Sequence, residues 1–265
     1  MKLTRTRHYI SLLASLTLMA AGTVSCKGDA QYEQFLNDNF AKGKVSDELL
    51  RDSAPGAVAL ISCCLYYESE LQKGIARGEK WVYTNSSKYA PQNSSFDHMV
   101  ESGHWGVNCA LPPSWAYVDM GIMEEGSRFW GDREGGFAKL DKVKESIEKA
   151  ATIKSLDGEK KFCELFEEGS VKSGDVFLGK GHTFIYLGDN LFLAAGHDGK
   201  WHSDETAETE DARHAVFESW IMPRESCANN EWQPTWQISF KEDYIPQFYR
   251  NSEGELVTNP AFNQN

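Results

Sequence analysis

GHTFIYLGDNLFLAAGH, residues 181–197, reads as two apolar runs joined at Asp189-Asn190, with a histidine at each outer end. β-Branched and aromatic residues fill the runs, and Asp-Asn between Gly188 and Leu191 is a turn signal, so the stretch predicts a β-hairpin. A two-residue turn pairs Gly188 with Leu191. Carried outward, that register sets His182 opposite His197 on one side of the sheet.

Strand patterning continues on both sides of the hairpin. DVFLGK begins at Asp175, and AVFESWIM and WQISF supply two further strands. Upstream the period is helical. Between Ala57 and Arg77, Leu60, Cys64, Tyr67, Leu71 and Ile75 recur at the spacing of one helix face. FDHMVESG predicts a short helix. ALPPSWAYVDMG, residues 110–121, predicts another, closed by Gly121. The charged stretch 137–168 predicts one or two outer helices, and GEKWVYTNSSKYAPQNSS a surface loop. Helices first and antiparallel strands after them make an α+β class, with N-terminal helices packed on an antiparallel β-sheet. The chain carries no GxGxxG and no P-loop.

The ends of the chain read differently. MKLTRTRH is basic, YISLLASLTLMAAG is apolar and TVSC is small, so residues 1–25 predict a bacterial export signal. Cys26 follows it where an acylated lipoprotein cysteine stands, although Thr23 replaces the usual Leu. Residues 26–54 are polar and predict a tether, 55–250 the folded domain and 251–265 a C-terminal tail. The net charge of −12 excludes a phosphate-backbone partner, which needs a basic stripe. The six cysteines show no CxxC spacing, so no structural zinc is expected. His98, His104, His202 and His214 lack ligand spacing, and DETAETED, residues 204–211, is a solvated charge run. No metal site and no cofactor are predicted.

Cys109 stands at the start of the 110–121 helix, where free N–H groups and the helix dipole favour a thiolate. Cysteine catalysis also needs a nearby imidazole. His182, opening a strand just after Gly181, is placed to supply it.

These residues carry a resemblance. Asn108-Cys109, Trp115 and Gly121-Ile122, followed by Gly174-Asp175-Val176, His182, Ile185-Tyr186 and Gly188, resemble the NlpC/p60 superfamily of papain-like cysteine peptidases, from about Ala57 to Met222. The resemblance implies a papain-like fold, Cys109 as nucleophile and His182 as base. It also implies a peptide or amide bond of bacterial cell-wall peptides as substrate, with helix-start N–H groups holding the oxyanion. Tyr83 matches an aromatic that lines the family's substrate groove, and Trp105 is a second candidate there. Two departures stand out. Pro112-Pro113 falls in the first turn of the Cys109 helix, and the family's third polar position, about twelve residues after the base, is Ala194. His197, with Asp198 as a second candidate, either takes over that orienting role or is a strand-end bystander.

The expected protein is therefore a cell-envelope cysteine hydrolase, exported to the periplasm or membrane-anchored through Cys26, with peptidoglycan or peptide as partner. Two alternatives use the same fold. One is an inactive peptide- or glycan-binding protein reading its ligand through Trp81, Tyr83, Trp105, Trp130 and Trp201. The other is an acyltransferase working through the same thioester.

Overall fold

The computed structural model describes residues 30–78, 82–83, 95–102, 106–127, 129, 141–156, 162–179, 182–188, 191–201, 213–221 and 234–262. Residues 1–25, Cys26, Trp81, His104, Trp105, Trp130, the Asp189-Asn190 turn, His202, the 204–211 charge run and Cys227 lie outside the described residues. In chain order the elements are α1 (Ala30–Asp38), α2 (Asp47–Asp52), α3 (Pro55–Ala76), β1 (Val82–Tyr83), α4 (Phe96–Ser102), β2 (Gly106–Val107), α5 (Leu111–Asp119) and α6 (Asp141–Ala150). They continue with β3 (Ala151–Ser155), α7 (Phe162–Glu167), β4 (Asp175–Gly179), β5 (His182–Gly188), β6 (Leu191–Trp201), β7 (Arg213–Ile221), β8 (Pro234–Phe240), β9 (Phe248–Arg250) and β10 (Leu256–Thr258).

Eight strands form one sheet in the order β2-β1-β7-β6-β5-β4-β8-β3, and β9–β10 is a separate hairpin. Every pairing in the large sheet is antiparallel except β1 with β2. The class is α+β, as the patterning predicts.

Alternation along the strands gives the sheet two buried faces. Val176, Leu178, Ile185, Leu187, Leu193, Ala195 and Ile238 join the main core with α3 and α5. Phe177, Phe184, Tyr186, Phe192 and Ala194 go to the other face, where α7 covers them. Phe162 of α7 is fully buried there, with ring centroids 4.9 Å from Phe177, 4.9 Å from Phe184 and 5.3 Å from Phe192. An aromatic buried this way contributes on the order of 2–3 kcal/mol. On the main face α3 packs against α5, β7 and β8, and α5 lies against β6.

The motif glycine before β4 is architectural. Gly174 has φ +81, and a Cβ there would stand 2.4 Å from the Cβ of Ala57 in α3. Its N–H donates to the Tyr186 carbonyl at 2.7 Å, which locks the turn onto β5.

Four expectations are corrected. The 26–54 tether is folded from Ala30 onward: Tyr32, Phe35, Leu36, Phe40 and Leu50 are buried, although polar neighbours hide them in the sequence. The 251–265 tail contains β10, and Asn259 and Ala261 are buried beyond it. Within the expected surface loop, Val82–Tyr83 is a strand between β2 and β7. The outer helical stretch holds β3, because Ala151–Ser155 pairs along β8 (Ile153 opposite Ile238), and its last helix, α7, is a core element.

Candidate active site

Cys109 sits in a tight turn between β2 and α5. The Leu111 N–H donates to the Asn108 carbonyl at 3.2 Å, and the Ala110 N–H donates to Asn108 Oδ1 at 3.1 Å. Asn108 thus shapes the turn through both its backbone and its side chain. The thiol is free, and the residue is 9% exposed, at the edge of the core.

The helix itself forms where the pattern predicts, starting at Leu111 despite Pro112-Pro113. Neither proline costs a hydrogen bond, because the first four N–H groups of a helix have no partner within it. The first intrahelical bond is Ser114 N–H to the Ala110 carbonyl, 3.4 Å, reinforced by Ser114 Oγ on the same oxygen at 2.6 Å. At the far end Gly121, φ +76, closes the helix. The Ile122 N–H reaches the Tyr117 carbonyl and the Gly121 N–H the Val118 carbonyl, both at 2.9 Å, which is a Schellman motif.

This helix start corrects the expectation for the oxyanion. Of its first four amides, those of Ala110 and Leu111 are occupied by Asn108, and the two prolines have no N–H. Among the described residues, the backbone donor left at the turn is the N–H of Cys109 itself.

His182 opens β5 opposite Gly179 of β4. The hairpin register differs from the sequence arithmetic. Gly188 does pair with Leu191, but a bulge follows, and Tyr186 pairs with Phe192 and Ile185 with Leu193. Carried to the strand end, this one-residue slip sets His182 level with Gly196, not His197, and a slip of one reverses the faces. His197 pairs across β7 with Ala215 instead. Asp198 is the next residue along β6. Ala194, the family's third position, is 7% exposed in the aromatic cluster under α7 and carries no polar group.

Tyr83 has Val107 as its partner in β2, two residues ahead of Cys109, and Arg213 as its partner in β7. The structure therefore sets position 83 beside the strand that leads into Cys109. Trp105, just before β2, lies outside the described residues. Among the described residues, no group of three His, Cys, Asp or Glu is placed to hold a metal ion.

Sequence reasoning missed three buried features. Cys163 is disulfide-bonded. Cys63, Cys64 and Cys109, by contrast, are free thiols. Asp175, second residue of the Gly-Asp motif, is 1% exposed, and its Oδ2 accepts from the Lys172 N–H at 2.8 Å and Gln237 Nε2 at 2.7 Å. Burial raises its carboxyl to about 6 against the lowering hydrogen bonds of Lys172, Ser239 and Gln237. Arg250 and Asp119 form a buried ion pair at 2.6 Å. No motif marks this pair; the signal present is one Arg in the FYR strand and one Asp in an otherwise uncharged helix.

Comparison with known proteins adds no relative to this geometry: no family model, no curated protein and no solved structure matches the chain.

Proposed function

We propose that this chain is a cell-envelope cysteine hydrolase of the papain-like NlpC/p60 type, acting on a peptide or amide bond of peptidoglycan stem peptides. One arrangement carries the reading: free Cys109 stands at the head of α5, α5 lies against β6, and β6 pairs with the strand that begins at His182. The Cys163 disulfide supports export, because such bonds persist in oxidising compartments. Cys26 is the proposed lipid anchor.

In the proposed cycle, His182 takes the thiol proton and Cys109 Sγ attacks the scissile carbonyl carbon. The Cys109 N–H donates to the oxyanion. As the intermediate collapses, the C–N bond breaks and His182 passes the proton to the departing amine, leaving a thioester. Water, deprotonated by His182, then releases the acid and restores the thiol. Tyr83 and Trp105 are the proposed substrate-contacting aromatics. Attack by an amine instead of water would make the same thioester serve acyl transfer.

A second reading, a non-catalytic peptide- or glycan-binding protein, is favoured by three observations. Ala194 is apolar and buried, and the helix-start amides are occupied. Among the described side chains of β5, Ile185 and Leu187 join the core that α5 shares, and alternation puts buried Thr183 on the same face; none is a base.

Purified cell wall digested with wild type, Cys109→Ala and His182→Ala decides between them. The hydrolase reading expects each variant to release at least a hundredfold less soluble peptide; equal release by all three proteins ends it. Iodoacetamide gives a parallel check. Burial pushes the Cys63 and Cys64 thiols up and keeps them inert, so Cys109 should be alkylated well ahead of these two; equal rates at all three would count against an activated thiol.

A further inference from the structure

Asp97 stands in the first turn of α4 and Asp119 is the last residue of α5. Between them run β2, the Asn108 turn and Cys109, with the cysteine near the middle of the segment. One side chain holds both ends. Arg250 of β9 donates from Nη2 to Asp97 Oδ2 at 2.9 Å and to Asp119 Oδ2 at 2.6 Å, and from Nε to the same Asp119 oxygen at 3.1 Å.

The guanidinium is itself fixed. Its Nη1 donates to the Gly254 carbonyl at 3.1 Å, in the turn of the β9–β10 hairpin, and its Cζ lies 4.6 Å from the centroid of the Tyr66 ring. Tyr67 of α3 donates to Asp119 Oδ2 at 2.5 Å. Phe96, next to Asp97, packs 4.4 Å from the Tyr67 ring and 5.4 Å from Trp115 of α5. The Arg250 and Asp119 side chains are 3% exposed and that of Asp97 is 46% exposed.

A buried ion pair is a poor source of net stability, since apolar residues of similar size do as well without the cost of drying charges. What a rigid fork of donors supplies is a fixed spacing between its acceptors. Here those acceptors bracket the segment that carries the thiol.

The geometry points to Arg250 as a positioning residue for Cys109, clamping the α4 and α5 ends of the β2–Cys109 segment into one register; its catalytic consequence rests on the hydrolase reading above. Asp97 is the leg to cut, because it is half-exposed and its loss leaves the buried Arg250–Asp119 pair intact. The test compares wild type, Asp97→Asn and Asp97→Glu by hydrogen exchange resolved to residues 106–111 and 175–179, with cell-wall digestion alongside. Asp97→Asn should exchange at least threefold faster at 106–111 and unchanged at 175–179, and Asp97→Glu, which keeps a carboxylate, should restore part of the difference. In digestion, kcat should fall severalfold with KM within twofold. Unchanged exchange at 106–111, or a rise of equal size at 175–179, overturns the clamp. Local loosening in a protein whose wild type releases nothing from the wall keeps the clamp and removes the hydrolase reading.

Discussion

Asp175 follows the turn glycine of its motif, and its burial gives it a measurable signature. An unfolded aspartate titrates near 3.9, whereas burial raises the folded group to about 6. The folded chain therefore holds this proton more tightly. Its contribution to stability is complete below about pH 4 and is lost as pH rises through 6, by about 3 kcal/mol over the interval. Asp175→Asn keeps an acceptor for the Lys172 N–H and Gln237 Nε2 and carries no charge to bury. Urea unfolding of both proteins at pH 4, 5, 6 and 7 should show the variant gaining on wild type at each step upward. A constant difference across that range would show that the carboxylate is not held dry. The Gly-Asp pair was visible as a motif in the sequence, but its work was not: both residues lock the turn onto α3, β5 and β8. Cys109 and His182 were visible for the opposite reason, because thiol and imidazole are scarce and each begins a regular element.

Helix α5 shows which parts of an element local sequence determines. Its start, its tolerance of two prolines and its end at Gly121 follow from rules that act within one turn. At φ +76 a side chain is strained, and a Cβ on Gly121 would also touch Gln247 Oε1 and the Phe248 ring at 3.4 Å. Gly121→Ala should therefore cost about 1–2 kcal/mol, read as a lower urea midpoint with unchanged slope; no change would mean that the Schellman turn does not hold the helix end. Elements made by distant partners were harder to read. Ala151–Ser155 continues a helical charge pattern, yet it pairs with β8 more than eighty positions on. Val82–Tyr83 is too short for any period to mark, and its strand exists because β2 and β7 flank it. The hairpin register failed by one residue at a bulge, and bulges leave little trace in a period-two pattern.

The N-terminal arm and the C-terminal hairpin interlock, and this joins the two ends of the described chain. Phe35 is fully buried and meets Tyr249 edge-on at 4.9 Å. Tyr249 donates to Asp38 at 2.9 Å, Ser252 donates to the other Asp38 oxygen at 3.2 Å, and the Phe40 N–H reaches the Arg250 carbonyl at 3.0 Å. The last of these ties the arm to the residue that clamps the Cys109 segment. A polar composition concealed the arm because its apolar residues are few, while their partners lie over two hundred positions away. Truncating Phe35 to Ala removes a fully buried ring packed against Tyr32 and Tyr249, at a cost of about 3–5 kcal/mol. For a domain stable by about 5–15 kcal/mol that loss is large. Denaturant unfolding followed by far-UV circular dichroism should then show one transition at a much lower midpoint. A separate early transition, with the main one unmoved, would mean that the arm unfolds independently; hydrogen exchange at 106–111 should in that case match wild type, because nothing from the arm would reach Arg250.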